Sequence, residues 1–339
     1  MSAQSGRPPF PFTALVGQEE MQLGLLMAAV DPLIGGVLIL GERGTGKSTA
    51  VRALAAVLPE IPVVSGCAYS CLPKAEAGLC EGGCAGRGRA KRGVAVVDLP
   101  LGASEESIVG GLSLEQLMAS GRRVFEPGLL ARAHRGFLYV DEINLLEDHL
   151  VDLLIDVAAS GENRVEREGL SLVHPASFVL VGSGNPEEGE LRPQLLDRFG
   201  LAVQVTTPKV LADRIEVVRR REAYDRQPAA FVESYEPAQQ AMQRKITQAR
   251  KNLEKVRLPD DCLTKAAELC LALGTDGLRG ELALMRAARA MAALNGSRQV
   301  GLEQLKAVAP LVLRHRLRRE VLDETTADDR VSRALANLH

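Results

Sequence analysis

One stretch of the sequence has the residue types that hold the phosphates of a nucleotide. After the apolar run 37–40 comes the octapeptide GERGTGKS, which opens a helical pattern. Its glycines allow backbone N–H groups to face phosphate oxygens, Lys47 can reach the β- and γ-phosphates, and Ser48 can bind Mg²⁺. This octapeptide at a strand-to-helix junction predicts a P-loop rather than an ordinary glycine-rich turn. The predicted nucleotide-binding residues are Gly41, Glu42, Arg43, Gly44, Thr45, Gly46, Lys47, Ser48 and Thr49.

Two carboxylates follow a second apolar run, residues 137–140. In this position Asp141 would lie beside the magnesium ion of the nucleotide, and Glu142 would orient or deprotonate the attacking water. Paired acids after a strand also serve as helix caps, so the assignment depends on the P-loop. Together the two motifs predict hydrolysis of ATP.

A polar amide ends a third apolar run. Asn185 follows the run 179–182 and precedes a proline. It is well placed to hold the nucleophilic water or to sense the γ-phosphate, although Asn-Pro is also a routine turn signal. The first two motifs therefore favour a site role for Asn185.

Strands and helices must alternate to position these motifs. Apolar runs bounded by turn residues predict buried parallel strands at 36–40, 94–99, 136–140, 177–182 and 201–205. Helical patterns at 47–58 and 145–160 lie between them, which is typical of a parallel sheet flanked by helices. Beyond about Pro228 only helical spacing remains. We predict an α/β nucleotide-binding domain at 1–235 and a helical domain at 236–339.

Composition and charge narrow the class of protein. The chain has 339 residues, 46% of them hydrophobic, and its 41 Lys and Arg against 43 Asp and Glu give a net charge of -2. This balance gives no indication of a nucleic-acid partner. No stretch is long and apolar enough to cross a bilayer, and no signal peptide is visible, so a cytoplasmic location is expected.

Four of the six cysteines cluster in an insert at 66–93, where neither a helical nor a strand period persists, and we predict a loop. They form two Cys-x3-Cys pairs, Cys67 with Cys71 and Cys80 with Cys84. Four thiolates at such spacing could hold Zn²⁺ or an iron–sulfur cluster, although free thiols or a redox-sensitive pair remain alternatives. Cys262 and Cys270 fall on apolar helical patterns and are expected to be buried.

Longer strings resemble the I subunits of magnesium chelatase. They are PFTALVGQE (11–19), the P-loop, VDLPLG (97–102), FEPGLL (125–130), GSGNPEEG (182–189), LLDRFG (195–200) and DGLRGE (276–281). They occur in the order found in that family and extend over nearly the whole chain. We therefore expect an I subunit rather than one of the related D subunits, which carry a long acidic linker and an integrin-type metal-binding domain.

The resemblance implies a AAA+ P-loop core with a C-terminal helical lid. It implies a hexameric ring that joins a D-type AAA+ subunit and uses MgATP hydrolysis to drive Mg²⁺ insertion into protoporphyrin IX on a large H subunit. Asn185 would be the sensor-1 residue, Arg198 the finger that reaches a neighbour's γ-phosphate, and Arg279 the sensor-2 residue of the lid. Val16 and Gly17 resemble the segment near adenine. Residues 102–120 and 163–174 resemble the family's helix-2 insertion and presensor hairpin, both expected protein-contact surfaces.

Other functions stay open from sequence alone. Relatives in the same family serve cobalt chelatases, and the cysteine insert could mark that branch, because chlorophyll-pathway members usually carry a shorter, cysteine-poor stretch there. A AAA+ assembly chaperone for cofactor insertion would share the same layout. A nucleotide-gated scaffold without turnover is less favoured, because it would need neither Glu142 nor Arg198.

Overall fold

The strands lie where the apolar runs predict them. The structure is a computed structural model that describes residues 7–74, 80, 83–121, 123–167, 170–189, 191–317 and 325–338. Its strands are β1 (Val37–Gly41), β2 (Ile61–Val64), β3 (Arg89–Arg92), β4 (Val96–Leu99), β5 (Gly110–Leu112), β6 (Phe125–Pro127), β7 (Phe137–Val140), β8 (Glu162–Arg167), β9 (Leu170–Pro175), β10 (Val179–Gly184) and β11 (Leu201–Val205). The five predicted strands correspond to β1, β4, β7, β10 and β11.

Helices separate these strands and make up most of the chain after β11. They are α1 (Glu19–Val30), α2 (Lys47–Leu54), α3 (Glu105–Val109), α4 (Leu114–Ser120), α5 (Leu129–Ala133), α6 (Asp148–Ser160), α7 (Pro193–Leu196), α8 (Leu211–Arg226), α9 (Pro228–Asn252), α10 (Asp260–Leu273), α11 (Arg279–Leu294), α12 (Leu302–Leu313) and α13 (Ala327–Ala336). Short 3-10 turns include Ala55–Val57 and Ile143–Leu145. Within the described ranges, no helix is both long enough and apolar enough to span a bilayer.

The chain divides into two compact units, Met1–Leu58 with Asn185–His339, and Pro59–Gly184. In the first unit β1 and β11 pair in parallel, with Val37 opposite Leu201 and Gly41 opposite Val205. Helix α1 packs on β11, and a side chain at Gly24 would bring its Cβ to 2.9 Å from Val203 Cγ1. This close approach explains a glycine inside an otherwise apolar helix.

The C-terminal helices of the first unit pack on its N-terminal part. Helices α9 and α11 contact α1, and α12 contacts β11. Arg314 pairs with Glu20 of α1 at 2.7 Å, and the Arg250 guanidinium donates to the Ala29 carbonyl at 2.8 Å. Helix α9 runs through residues 235 and 236 and carries Pro237 in its interior, while Pro228 occupies the first turn, where no N–H is needed. The domain limits at 235 and 236 stay a prediction.

The second unit contains a parallel sheet in the order β10, β7, β4. Phe137 lies opposite both Val179 and Val96, so the three strands end at one edge. Helix α5 packs on β4 and β7, and α6 packs on β10. Helix α6 begins at Asp148, which suits a helix N-terminus, and ends before Gly161, whose φ of 75° suits the C-cap. The predicted α/β class, with parallel strands flanked by helices, is confirmed.

Antiparallel hairpins complete the second unit. Strands β8 and β9 pair from Glu162 with Pro175 to Arg167 with Leu170, which confirms the predicted hairpin; residues 168 and 169 of that prediction lie outside the described residues. The prediction of a loop throughout the insert is wrong for Arg89–Arg92, which pairs with β2. The basic residues of β3 hid the strand, because an exposed hairpin needs no apolar period. Residues 75–79, 81 and 82 of the insert also lie outside the described residues.

Candidate functional site

The phosphate-binding loop connects β1 to α2. Gly41 ends the strand where a Cβ would come within 2.0 Å of the Val205 carbonyl, so the backbone there tolerates no side chain. Gly44 and Gly46 have φ values of 77° and 85°, a conformation that favours glycine, and nothing lies within 4 Å of where their Cβ atoms would be. The loop is therefore an open, exposed cradle whose backbone can approach an anion.

The side chains of this loop fit a nucleotide bound with magnesium. The Lys47 ammonium donates to the carbonyls of Gly41 and, at 3.0 Å, of Glu42. The Thr45 hydroxyl donates to Glu42 O at 2.9 Å, which fixes the turn. Ser48 and Thr49 are half-buried in the first turn of α2. A flexible ammonium, hydroxyl groups and the start of a helix are the donors that phosphate and Mg²⁺ require, so these residues fit MgATP.

Asp141 is held by two hydroxyl groups at the end of β7. The Ser183 hydroxyl donates to Asp141 Oδ1 at 2.6 Å, and the Tyr139 hydroxyl donates to the same oxygen at 2.9 Å. The side chains of Ser183 and Tyr139 are buried. The two hydrogen bonds hold the carboxylate in one orientation. Carboxylate oxygens fixed in this way are suitable ligands for Mg²⁺.

Glu142 has an unusual backbone conformation. Its φ is 52° and its ψ is 53°, the left-handed region, which costs a residue with a side chain about 1–2 kcal/mol. The Glu142 N–H donates to the Ser183 hydroxyl at 3.2 Å, and the conformation turns the chain into the Ile143–Leu145 turn. Such strain occurs at functional sites. Ser183 thus contacts both Asp141 and the residue that follows it.

Asn185 lies in a small polar group of the first unit. Its side chain is buried, its amide donates to Glu188 Oε1 at 3.4 Å, and its oxygen accepts from the Glu187 N–H at 3.2 Å. The same Glu188 oxygen pairs with Arg43 of the phosphate-binding loop. Glu188 therefore connects Asn185 to Arg43 of the phosphate-binding loop.

The Asp197 carboxylate pairs with Arg279, one of the two predicted arginines, and precedes the other, Arg198, in the chain. Arg279, at the start of α11, pairs with Asp197 at 2.7 Å, and Arg316 approaches the same carboxylate at 3.5 Å. Arg198 follows Asp197 in the chain and is exposed. Burial lowers the pKa of Arg316 to about 10, although the Asp197 charge opposes this shift. The Asp197 carboxylate thus joins α11 to the segment that carries Arg198.

Val16 and Gly17 are half-buried before α1. Gly17 has a φ of 67°, and a Cβ there would lie 3.4 Å from the Pro208 ring. The next residue, Gln18, donates to the Thr206 carbonyl at 3.3 Å. The turn is therefore held against the segment after β11, and its predicted role near adenine stays a prediction.

The structure brings the four cysteines of the insert together. All four are buried free thiols, and their Sγ atoms lie within 4.8 Å of one another. Burial raises the pKa of the Cys71 thiol, and the neighbouring Cys67 and Cys80 thiols raise it further. Cys262 and Cys270 are buried elsewhere, as predicted.

The sequence did not predict the residues that form hydrogen bonds and ion pairs with the predicted site residues. Ser183 and Tyr139 fix Asp141, Glu188 links Asn185 to the phosphate-binding loop, and Asp197 binds Arg279. Ser183 and Glu188 belong to the string GSGNPEEG, and Asp197 belongs to LLDRFG. The signal was therefore present as polar residues inside family strings, but it did not indicate their contacts.

The chain is similar to subunits of magnesium chelatase. Residues 103–195 match the model of the family described as magnesium chelatase, subunit ChlI, and residues 263–334 match the AAA lid domain. The "Magnesium-chelatase 38 kDa subunit" of Acidiphilium rubrum is 61% identical over 334 residues, covering 97% of each chain.

Two solved structures agree with this similarity. One is a complex between subunits BchI and BchD of magnesium chelatase, built on a cryo-EM reconstruction; it is 56% identical, covers 96% of this chain and 100% of the other, and has a TM-score of 0.55. The other is a putative ATPase from Cytophaga hutchinsonii, 18% identical, with a TM-score of 0.65, covering 97% of this chain and 92% of that one. The second likeness concerns the fold alone. The predicted AAA+ fold with a lid is confirmed.

Proposed function

The chain belongs to the family of magnesium-chelatase I subunits, and from this membership we propose that it is the ATP-hydrolysing motor subunit of a magnesium chelatase. It drives insertion of Mg²⁺, the metal substrate, into protoporphyrin IX. The observation that carries the proposal is the identity to a chelatase subunit along nearly the full length of both chains. The open phosphate cradle and the fixed Asp141 carboxylate supply matching chemistry.

The residues of the phosphate-binding loop bind the nucleotide in this proposal. Backbone N–H groups from Gly44 to Lys47 bind phosphate oxygens, and Lys47 leaves its carbonyl partners to neutralise phosphate charge. Ser48 and Asp141 bind the magnesium ion of the nucleotide. MgATP, when bound, supplies the phosphoanhydride bond whose hydrolysis provides the free energy.

The remaining residues act on water and on developing charge. Glu142 accepts a proton from the attacking water or orients it, and Asn185 holds that water in place. Arg198 stabilises phosphate charge on a neighbouring protomer, and Arg279 does so from the lid. The exposure of Arg198 supports a role between protomers. Val16 and Gly17 contact the adenine.

The proposal includes a larger assembly. A relative of known structure is a complex of an I and a D subunit, which supports a D-type AAA+ partner for this chain. We further propose a hexameric ring of the chain and a large porphyrin-binding H subunit as the site of metal insertion. A cytoplasmic location and the lack of a nucleic-acid partner complete the proposal.

A second cofactor is a metal at the four cysteines. Zn²⁺ and iron–sulfur clusters are both held by thiolates, and the close approach of Cys67, Cys71, Cys80 and Cys84 supports a metal bound by these four residues. This metal is separate from the magnesium bound with ATP.

A reconstituted chelatase assay tests the function. The purified chain is mixed with the D-type and H-type subunits of its own genome, MgATP and protoporphyrin IX, and Mg-protoporphyrin fluorescence is followed. We expect magnesium insertion that requires both this chain and ATP. Insertion of cobalt into a corrinoid acceptor, without magnesium insertion, would assign the chain to a cobalt chelatase. Persistent ATPase activity with neither metal inserted would favour an assembly chaperone.

A further inference from the structure

The same two backbone features occur at each cysteine pair of the insert. In each, the N–H three residues after the first cysteine donates to that cysteine's carbonyl, Ser70 to Cys67 at 3.3 Å and Gly83 to Cys80 at 3.2 Å. The residue before the second cysteine is left-handed in both, with φ of 53° at Ser70 and 54° at Gly83. A left-handed residue reverses the chain and returns the second thiol toward the first. Two separate segments therefore each present two thiols to one point.

The distances between the sulfur atoms suit a single tetrahedral ion. The Sγ atoms of Cys67 and Cys80 are 3.7 Å apart, and those of Cys80 and Cys84 are 3.4 Å apart. Sulfur atoms bound tetrahedrally to Zn²⁺ at about 2.3 Å lie ~3.8 Å from one another. An iron–sulfur cluster places several irons and sulfides between its thiolates and so requires a wider ligand set. A single ion fits and a cluster does not.

We propose that Cys67, Cys71, Cys80 and Cys84 bind one structural Zn²⁺, and that this ion fixes Tyr69 as the support of the β8–β9 hairpin. The inference deepens the cofactor part of the proposed function and does not depend on ATP hydrolysis. Four buried protein ligands leave no open position for a substrate, which is typical of a structural rather than a catalytic zinc site.

Basic residues surround the ligand turns and hold their backbone. Arg87 donates to the Gly66 carbonyl at 3.0 Å, and Arg92 donates to the Ser70 hydroxyl at 2.9 Å. Arg135 donates to the Ser70 carbonyl at 3.0 Å. Four thiolates around Zn²⁺ carry a net charge of -2, which nearby guanidinium groups stabilise. Such hydrogen bonds around the ligands also orient them.

Tyr69 connects the zinc turn to the hairpin. It lies between Cys67 and Cys71, its side chain is fully buried, and its ring centroid is 5.0 Å from that of His174 in β9. The Asn163 amide of β8 donates to the Val109 carbonyl at 2.8 Å and contacts the His174 ring at 3.0 Å. The three residues between Cys67 and Cys71 thus include an aromatic side chain, Tyr69, that packs on the hairpin. The proposed ion thus holds the turn that carries Tyr69, and Tyr69 in turn packs on the hairpin.

Metal analysis tests the ion directly. The untagged full-length chain, purified without chelator, should contain about one equivalent of zinc per chain. After chelation, cobalt(II) should restore binding with the intense visible absorption of a tetrahedral thiolate site. Zinc below about a tenth of an equivalent that zinc addition does not raise, or iron in its place, would overturn the proposal.

Variants separate the ligands from other thiols. Cys71→Ser and Cys84→Ser should each lower the zinc content at least about tenfold, whereas Cys270→Ser, at a buried thiol outside the insert, should retain it. Equal retention by all three variants contradicts the ligand assignment. Because a ligand variant could unfold, chelation and zinc re-addition on the wild-type chain give the same comparison without substitution.

Hydrogen exchange tests the role of Tyr69. Zinc removal should raise amide exchange in Glu162–Arg167 and Leu170–Pro175, and zinc re-addition should reverse it. Tyr69→Ala should keep the zinc but raise exchange in the same strands. If hairpin exchange stays at the wild-type level both after zinc removal and in Tyr69→Ala, Tyr69 does not support the hairpin, even if zinc is bound.

Discussion

Ser183→Ala removes one hydroxyl group that holds both acidic residues after β7. The Ser183 side chain is 0% exposed; its hydroxyl donates to Asp141 at 2.6 Å and accepts from the Glu142 N–H at 3.2 Å. Alanine deletes both bonds and nearly preserves the volume. Asp141 would keep the Tyr139 hydroxyl at 2.9 Å. The variant should fold with its two acidic residues less well positioned.

The magnitude follows from the bonds that are lost. A hydrogen bond to a charged group contributes about 1.5–3 kcal/mol, and a tenfold change in rate corresponds to about 1.4 kcal/mol. If the Asp141 bond is needed most in the transition state, kcat for MgATP hydrolysis falls roughly 10- to 100-fold. Nucleotide affinity without magnesium should stay near the wild-type value, because Lys47 and the glycine cradle are unchanged.

Steady-state ATPase assays and magnesium titrations measure these effects. The kcat should fall, and the magnesium concentration for half-maximal activity should rise. Ser234→Ala is a matched control, since the exposed Ser234 hydroxyl donates to the Phe231 carbonyl of its own helix at 2.7 Å. A Ser183→Ala chain with kcat and magnesium dependence within about twofold of wild type would refute the positioning role.

Other predictions concern hydrolysis, protomer contacts and pH. Glu142→Gln should bind ATP but hydrolyse it at least about a hundredfold more slowly, and single-turnover kinetics at wild-type rate would contradict its role. Arg198→Ala and Glu142→Gln chains should each be inactive alone but regain activity when mixed, because some interfaces then hold both residues; inactive mixtures argue against a finger. Burial and the Arg316 charge lower the pKa of His315 to about 3, so the folded state keeps it neutral while the unfolded chain protonates it below pH 6.5. Stability should therefore fall by up to about 2 kcal/mol between pH 7.5 and 5. His315→Gln should show a smaller fall in melting temperature, and an equal fall contradicts the assignment.

Local sequence patterns were sufficient to predict the strands that carry the nucleotide-binding motifs. Runs of apolar residues predicted β1, β7 and β10, because a strand buried on both faces needs no other signal. The P-loop was predicted because glycine types and spacing are set by the backbone itself. The hairpin β8–β9 was expected from the family resemblance alone.

Contacts between distant residues could not be predicted from these patterns. Ser183 reaches Asp141 only because Gly182 lies opposite Val140 in the parallel sheet, a register that sequence does not display. The strand Arg89–Arg92 has no apolar period, so its pairing with β2 was missed. The cysteine spacing indicated a ligand set, but not the contact of Tyr69 with His174.

Simultaneous measurement of ATP hydrolysis and magnesium insertion tests the central claim most directly. The complete set of subunits is assembled with wild-type chain or with Glu142→Gln, and phosphate release and Mg-protoporphyrin fluorescence are followed in one vessel. We expect both signals with the wild-type chain and neither above background with the variant, although the variant still binds ATP and its partners. Magnesium insertion at the wild-type rate with Glu142→Gln, while phosphate release is lost, would contradict a motor driven by this chain's hydrolysis.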